Sequence, residues 1–218
     1  MFRLASEIVV ASDKPDAGEK GVATAGRVDR APRADAQRNL DALLQAAKLV
    51  FAASGVDAPV REIAERAGVG IGTVYRHFPQ RADLIAAVFR REIDACADAA
   101  PILAAEHPPG EALARWMQRY AAFVATKRGL AAALHSGNPT FGTLRGYFEQ
   151  RVRPVLRTLL DAAAVAGEIR ADVDPEDLFS AVASLSMSAH DDGSSQAQRM
   201  VALLVDGLRY GAKAAPGR

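Results

Sequence analysis

Apolar residues recur along this chain at intervals of three and four, and no segment alternates as a strand would. Leu40, Leu43, Leu44, Ala47, Val50 and Phe51 mark an amphipathic helix over 35–54, ended by Gly55. Val60 to Ala67 reads as a short helix with Ile63 and Ala67 on one face. Gly68-Val69-Gly70 breaks it, and a second short helix buries Val74 and Phe78 at i,i+4 spacing. Two short helices joined by a glycine-bearing turn make a helix-turn-helix, and the stripe of the 35–54 helix needs both of them to cover it.

Further helices follow. Arg81 to about Ala99 places Leu84, Ile85, Val88 and Phe89 inward, and Pro101 with the cluster His107-Pro108-Pro109-Gly110 is expected to end it. Glu111 to Arg128 carries Leu113, Trp116, Met117, Tyr120, Phe123 and Val124, and 129–136 reads as a short apolar piece. Gly137-Asn138-Pro139 is a turn before a long helix to about Ala166, bent at Pro154. Asp174-Pro175-Glu176-Asp177 combines a cap, a first-turn proline and acids at the positive end of the helix dipole. It starts a helix to about Ala189. A last helix spans Gln196 to about Ala212.

The fold expected is therefore all-α, a three-helix head joined to a larger helical domain. Residues 1–32 lack periodicity and read as a disordered leader, 33–82 as the head, 83–213 as the larger domain and 214–218 as a tail. Arg27, Arg30 and Arg33 before the first helix suit either a minor-groove arm or a solvated tail.

The second short helix changes the picture from fold to chemistry. Its outward positions hold Thr73, Tyr75, Arg76 and His77, all hydrogen-bond donors suited to phosphates or base edges. An ordinary helical hairpin with a solvated polar face is the bland alternative. Turn, buried pair and clustered donors together favour DNA. The stretch AGVGIGTVYRHFPQRADL resembles the DNA-binding signature of the TetR family of transcriptional regulators. That resemblance implies DNA contacts from Arg61, Ile71, Gly72, Thr73, Tyr75, Arg76, His77 and Arg81. Arg81 stands where a lysine is usual, and Ile71 and Gly72 occupy positions from which relatives often read bases. Neither has a side-chain hydrogen bond to give, so base reading rests on Arg61, Thr73, Tyr75 or Arg76, with Ile71 offering apolar contact to a thymine methyl.

Charge agrees modestly. The chain has 27 basic and 26 acidic residues, and residues 33–91 hold nine basic against six acidic ones, while 92–218 hold thirteen against fifteen. Affinity is thus expected from placed contacts and dimerisation more than from bulk charge. A single cysteine, Cys96, fits a reducing cytoplasm and most simply serves packing.

Other chemistry finds no support. Gly68-x-Gly70-x-Gly72 follows a helix and lacks the Gly-Lys-Ser/Thr ending of a nucleotide loop. The four histidines, His77, His107, His135 and His190, show no ligand spacing, so no metal site is expected. No serine sits in a nucleophile elbow, and neither catalysis nor a cofactor is expected. No run of about 18 apolar residues suggests a membrane span.

The family resemblance further implies a homodimer on a near-palindromic operator, a repressor role, and a small-molecule effector in the larger domain. Trp116, Tyr120, Phe123, Phe141, Tyr147, Phe148 and Met187, with His135 and His190, suit an effector cavity or plain core. The dimer interface is expected on the last two helices, with Leu178, Val182 and Leu185 on one and Val201, Leu204 and Leu208 on the other. An architectural DNA-binding protein without effector and a helical protein-interaction module remain as alternatives.

Overall fold

The computed structural model describes residues 30–134, 137–188 and 193–210. The leader up to residue 29, His135, His190 and the tail 214–218 lie outside the described residues. Those described form eight helices and no strand: α1 (Arg30–Ser54), α2 (Val60–Ala67), α3 (Ile71–His77), α4 (Arg81–Glu106), α5 (Pro109–Leu134), α6 (Pro139–Val165), α7 (Pro175–Ser188) and α8 (Gly193–Arg209). From Arg38 onward they belong to one compact unit.

The caps expected at Gly68 and Asp174 are in place, and Asn138, expected as part of a turn, and Gln80 add two more. Gly68 closes α2 at φ 68°, a left-handed conformation that a Cβ disfavours. Asn138 accepts from the Thr140 amide at 2.9 Å to open α6, and Asp174 accepts from the Glu176 and Asp177 amides at 2.7 and 3.3 Å to open α7. Gln80 and Asp83 open α4 with reciprocal side-chain to backbone bonds.

Three helices run at least five residues further than their sequences suggested, α1 by beginning at Arg30, so that residues 30–32 of the expected leader are helical. Pro101 lies inside α4, which continues to Glu106. A proline removes one helical hydrogen bond, and Pro101 is exposed, so its ring meets no packed neighbour that would end the helix. Likewise Gly129 does not divide α5, which runs to Leu134. Glycine weakens a helix interior by only about 1 kcal/mol.

α1 to α3 close over the start of α4. Leu43, Val50 and Phe51 of α1, Ile63 of α2, Val74 of α3 and Leu84 and Val88 of α4 are all buried in one cluster. Lys48 pairs with Glu92 at 2.7 Å, and Arg91 reaches Asp41, so polar bonds also fasten α1 to α4. Beyond the head, α4 packs on α5 and α6. The Trp116 indole donates to the Cys96 carbonyl at 2.9 Å, and Arg119 donates to that of Ala95. From α6, Tyr147 donates to Asp94 at 2.6 Å while Arg151 spans Asp94 and Asp98. At the opening of α5, the Gly110 amide donates to Glu168 at 2.7 Å, and a Cβ on Gly110 would stand 2.6 Å from the same carboxylate oxygen. A larger residue there would force the Glu168 side chain to shift.

Candidate DNA-binding head and effector cavity

Val74 fixes which face of α3 looks outward. With its side chain 1% exposed, the helical period turns the opposite face of α3 to solvent. Ile71 at 46% and Tyr75 at 51% stand one turn apart on that face, and Gly72, Arg76 and His77 are exposed beside them. Thr73 is half-buried. Phe78 falls at the C-cap of α3, partly buried against the head core, so it anchors the helix end more than its middle. From α2, Arg61 projects into solvent and pairs with Glu65 one turn on, at 3.0 Å. The pair is exposed, so it costs little to exchange for a phosphate. Arg61, Ile71, Gly72, Tyr75, Arg76 and His77 are thus all accessible.

Arg81 is placed differently. It is half-buried, and its Nη1 donates to the carbonyls of Val56 and Ala58 at 2.5 and 2.7 Å. These carbonyls belong to the loop between α1 and α2. The sequence carries no local sign of this, because the acceptors lie more than twenty residues upstream.

A cavity of about 730 Å³ lies among α4, α5, α6 and α7. Tyr120, Phe123, Phe141, Phe148 and Met187, all expected from the sequence, line it. Phe89 of α4, which the sequence places on an inward stripe, and Phe179 of α7, which the sequence did not single out, line it as well. Trp116 and Tyr147 do not. Trp116 is fully buried behind Tyr120, because its N–H finds a partner at Cys96 in the core. Tyr147 faces α4 instead, where its hydroxyl donates to Asp94 and Arg90 covers its ring at 5.4 Å.

The anticipated interface residues also divide. Leu178, Val182, Val201 and Leu208 are buried in the chain's own core, since α7 and α8 turn those stripes towards α5 and each other. Leu185 and Leu204 are half-buried. On the outside stand Leu203 at 72%, Met187 at 46% and Met200 at 37% exposure.

Burial shifts two titrations. The Cys96 thiol is pushed up to about 12, chiefly by desolvation, and Tyr120 is raised by the same cause with Cys96 and Glu176 adding to it. Both groups stay protonated at neutral pH. No helix is long and apolar enough to cross a membrane, and no cluster of metal-ligating side chains occurs among the described residues.

A three-helix head with an outward donor face, set on a helical domain with an aromatic cavity, defines a helix-turn-helix transcriptional regulator. Residues 43–88 match the model of bacterial regulatory proteins of the tetR family, and residues 108–210 match the C-terminal domain of SbtR-like transcriptional regulators. The chain belongs to the TetR family of transcriptional regulators. It is similar to the TetR transcriptional regulator SCO0520 from Streptomyces coelicolor, with 42% identity and a TM-score of 0.70 over 79% of this chain and 99% of that one. A TetR regulatory protein from Mycobacterium vanbaalenii shows 37% identity and a TM-score of 0.64, over 82% and 99% of the two chains. Curated HTH-type transcriptional regulators of Staphylococcus aureus are 36% identical over 63 residues, so the match spans 28% of this chain and only about a third of theirs, 34%.

Proposed function

We propose that the protein is a repressor that binds a near-palindromic DNA operator as a homodimer and leaves it when a small molecule fills the cavity. One observation carries the reading: α4 takes part in both sites. Arg81, in its first turn, holds the α1–α2 loop of the head, and Phe89, eight residues on, forms part of the cavity wall. Eight residues of helix span about 12 Å. A ligand that displaces Phe89 therefore acts on the helix that carries the head, with a leverage equal to its differential affinity for the two arrangements.

The α3 face supplies the DNA contacts. Tyr75 and His77 suit phosphates, while Arg76, Thr73 and Arg61 suit base edges or phosphates, and Ile71 beside Gly72 suits a thymine methyl. One short helix makes too few contacts for useful specificity, so two heads must add their free energies. The exposed Met200 and Leu203, one helical turn apart on α8, supply apolar side chains for pairing two copies about a two-fold axis. The buried stripes of α7 and α8 are already covered.

Selection of bound duplexes from a random pool tests the reading. The expected product is one near-palindromic motif, and Tyr75→Ala is expected to weaken binding to every variant of it alike. A pool that stays random while DNA is still bound would favour an architectural protein, and absence of DNA binding at low salt would overturn the proposal.

A further inference from the structure

The cavity lining constrains the chemistry of its ligand. Five of the chain's eight phenylalanines, Phe89, Phe123, Phe141, Phe148 and Phe179, line it together with Tyr120. Phe123 and Phe148 are parallel to within 8° with centroids 5.8 Å apart. Tyr120 lies at 27° to Phe123 and is tilted 33° from Phe148, so it flanks this parallel pair without joining its plane. Phe179 stands edge-on to Tyr120 at 5.0 Å and to Phe148 at 6.0 Å. A flat ring system continues such a stack, each aromatic pair adding roughly two- to tenfold in affinity beyond the area it buries. A flexible acyl chain gains only the area.

Charge selects further. Arg145 pairs with Glu149 at 3.1 Å, and Arg153 pairs with Glu149 at 3.7 Å and Glu176 at 3.1 Å. These two cations and two anions all belong to the lining and neutralise one another. A charged ligand gains little by exchanging with exposed groups that are already paired, whereas a neutral ligand leaves the pairs intact. The neutral polar residues of the lining are Tyr120 and Ser180. The Tyr120 phenol is protonated at neutral pH and hence a donor, and burial moves it further from ionisation.

We propose that this cavity takes an uncharged, planar, polycyclic compound bearing one hydrogen-bond acceptor, a fused-ring ketone being the simplest case. The stacked rings hold its faces and Tyr120 donates to its acceptor. The inference rests on the effector site of the proposed function and names the class of compound that site accepts. At about 730 Å³ the space lies within the range of pockets that hold drug-sized ligands.

The molecule carries its own reporter. Trp116, the single tryptophan, lies parallel to Tyr120 within 3° at 5.9 Å and edge-on to Phe179 at 6.3 Å. Full-length protein, free of DNA, is titrated at neutral pH with xanthone, with xanthene (the same rings without the ketone), with the planar cation proflavine and with laurate, following Trp116 emission. Xanthone is expected to quench saturably at one site per chain, and xanthene to bind about three- to tenfold more weakly for want of the hydrogen bond. Tyr120→Phe is expected to bring xanthone to the level of xanthene and to leave xanthene unchanged. Tighter binding of proflavine or laurate than of xanthone overturns the proposal. So does absence of quenching by xanthone, or equal weakening of both neutral probes by Tyr120→Phe. Because no DNA is present, these outcomes concern the ligand class alone. Release of the operator by xanthone, measured separately, tests the effector role, and failure there leaves the ligand class standing.

Discussion

Removing the Arg81 guanidinium separates a structural fastening from a DNA contact. In Arg81→Ala the carbonyls of Val56 and Ala58 lose their donor, and the loop that sets the start of α2 is freed from α4. A hydrogen bond from a charged donor contributes about 1.5–3 kcal/mol. The two acceptors share one nitrogen and the site is only half-buried, so the pair is taken as about 2–3 kcal/mol in all. For a chain of this size each kcal/mol moves the melting temperature by about 2–4 °C, which gives a fall of about 4–12 °C. Differential scanning calorimetry reads that shift, and amide exchange of residues 56–78 locates it in the head. Operator affinity falls as well, because a looser α2 holds α3 less firmly. The slope of log affinity against log salt stays that of the wild type, since no phosphate contact has been removed. A slope smaller by about 0.9 at an unchanged melting temperature would refute this reasoning and make Arg81 a phosphate ligand.

The outer face of α8 is expected to hold two copies together. Leu203→Glu alters a side chain already 72% exposed, so the monomer should stay folded while the dimer weakens at least about 100-fold, each of two symmetry-related leucines losing about 1.5–3 kcal/mol of burial. Sedimentation that shows an unchanged dimer would move the interface elsewhere. Stability is expected to fall as pH rises above 9.0, because the unfolded chain then releases the Cys96 proton while the folded chain keeps it to about 12. That contribution is up to about 1.4 kcal/mol per pH unit and disappears in Cys96→Ala. Denaturant titrations from pH 8 to 10 with the same slope for both proteins would contradict it.

What the sequence shows of this protein follows the range of the forces involved. The head is legible because its determinants are local: a left-handed glycine at position 68, a buried residue at 74, and donors one period away from it. The helix starts at Asn138 and Asp174 are legible for the same reason, each cap acting within three residues. Faces that depend on distant partners are less so. The stripes through Leu178 and Val201 look like an interface from either side, and only the position of α5 shows that they are filled from within. Trp116 and Tyr120 differ by one turn of α5, yet one meets a carbonyl of α4 and the other a void. Phe179 joins the cavity because α7 folds back over α5, which its own heptad does not reveal.

The central claim is that the exposed face of α3 reads DNA in pairs. Footprinting of the full-length protein on fragments of its own genome tests this most directly. The account predicts protection confined to one or a few sites, each with two symmetric halves centred about one helical turn apart, and loss of both halves in Arg76→Ala with Tyr75→Ala. Uniform protection along the fragments, or discrete protection that survives the double substitution in a folded protein, would contradict it.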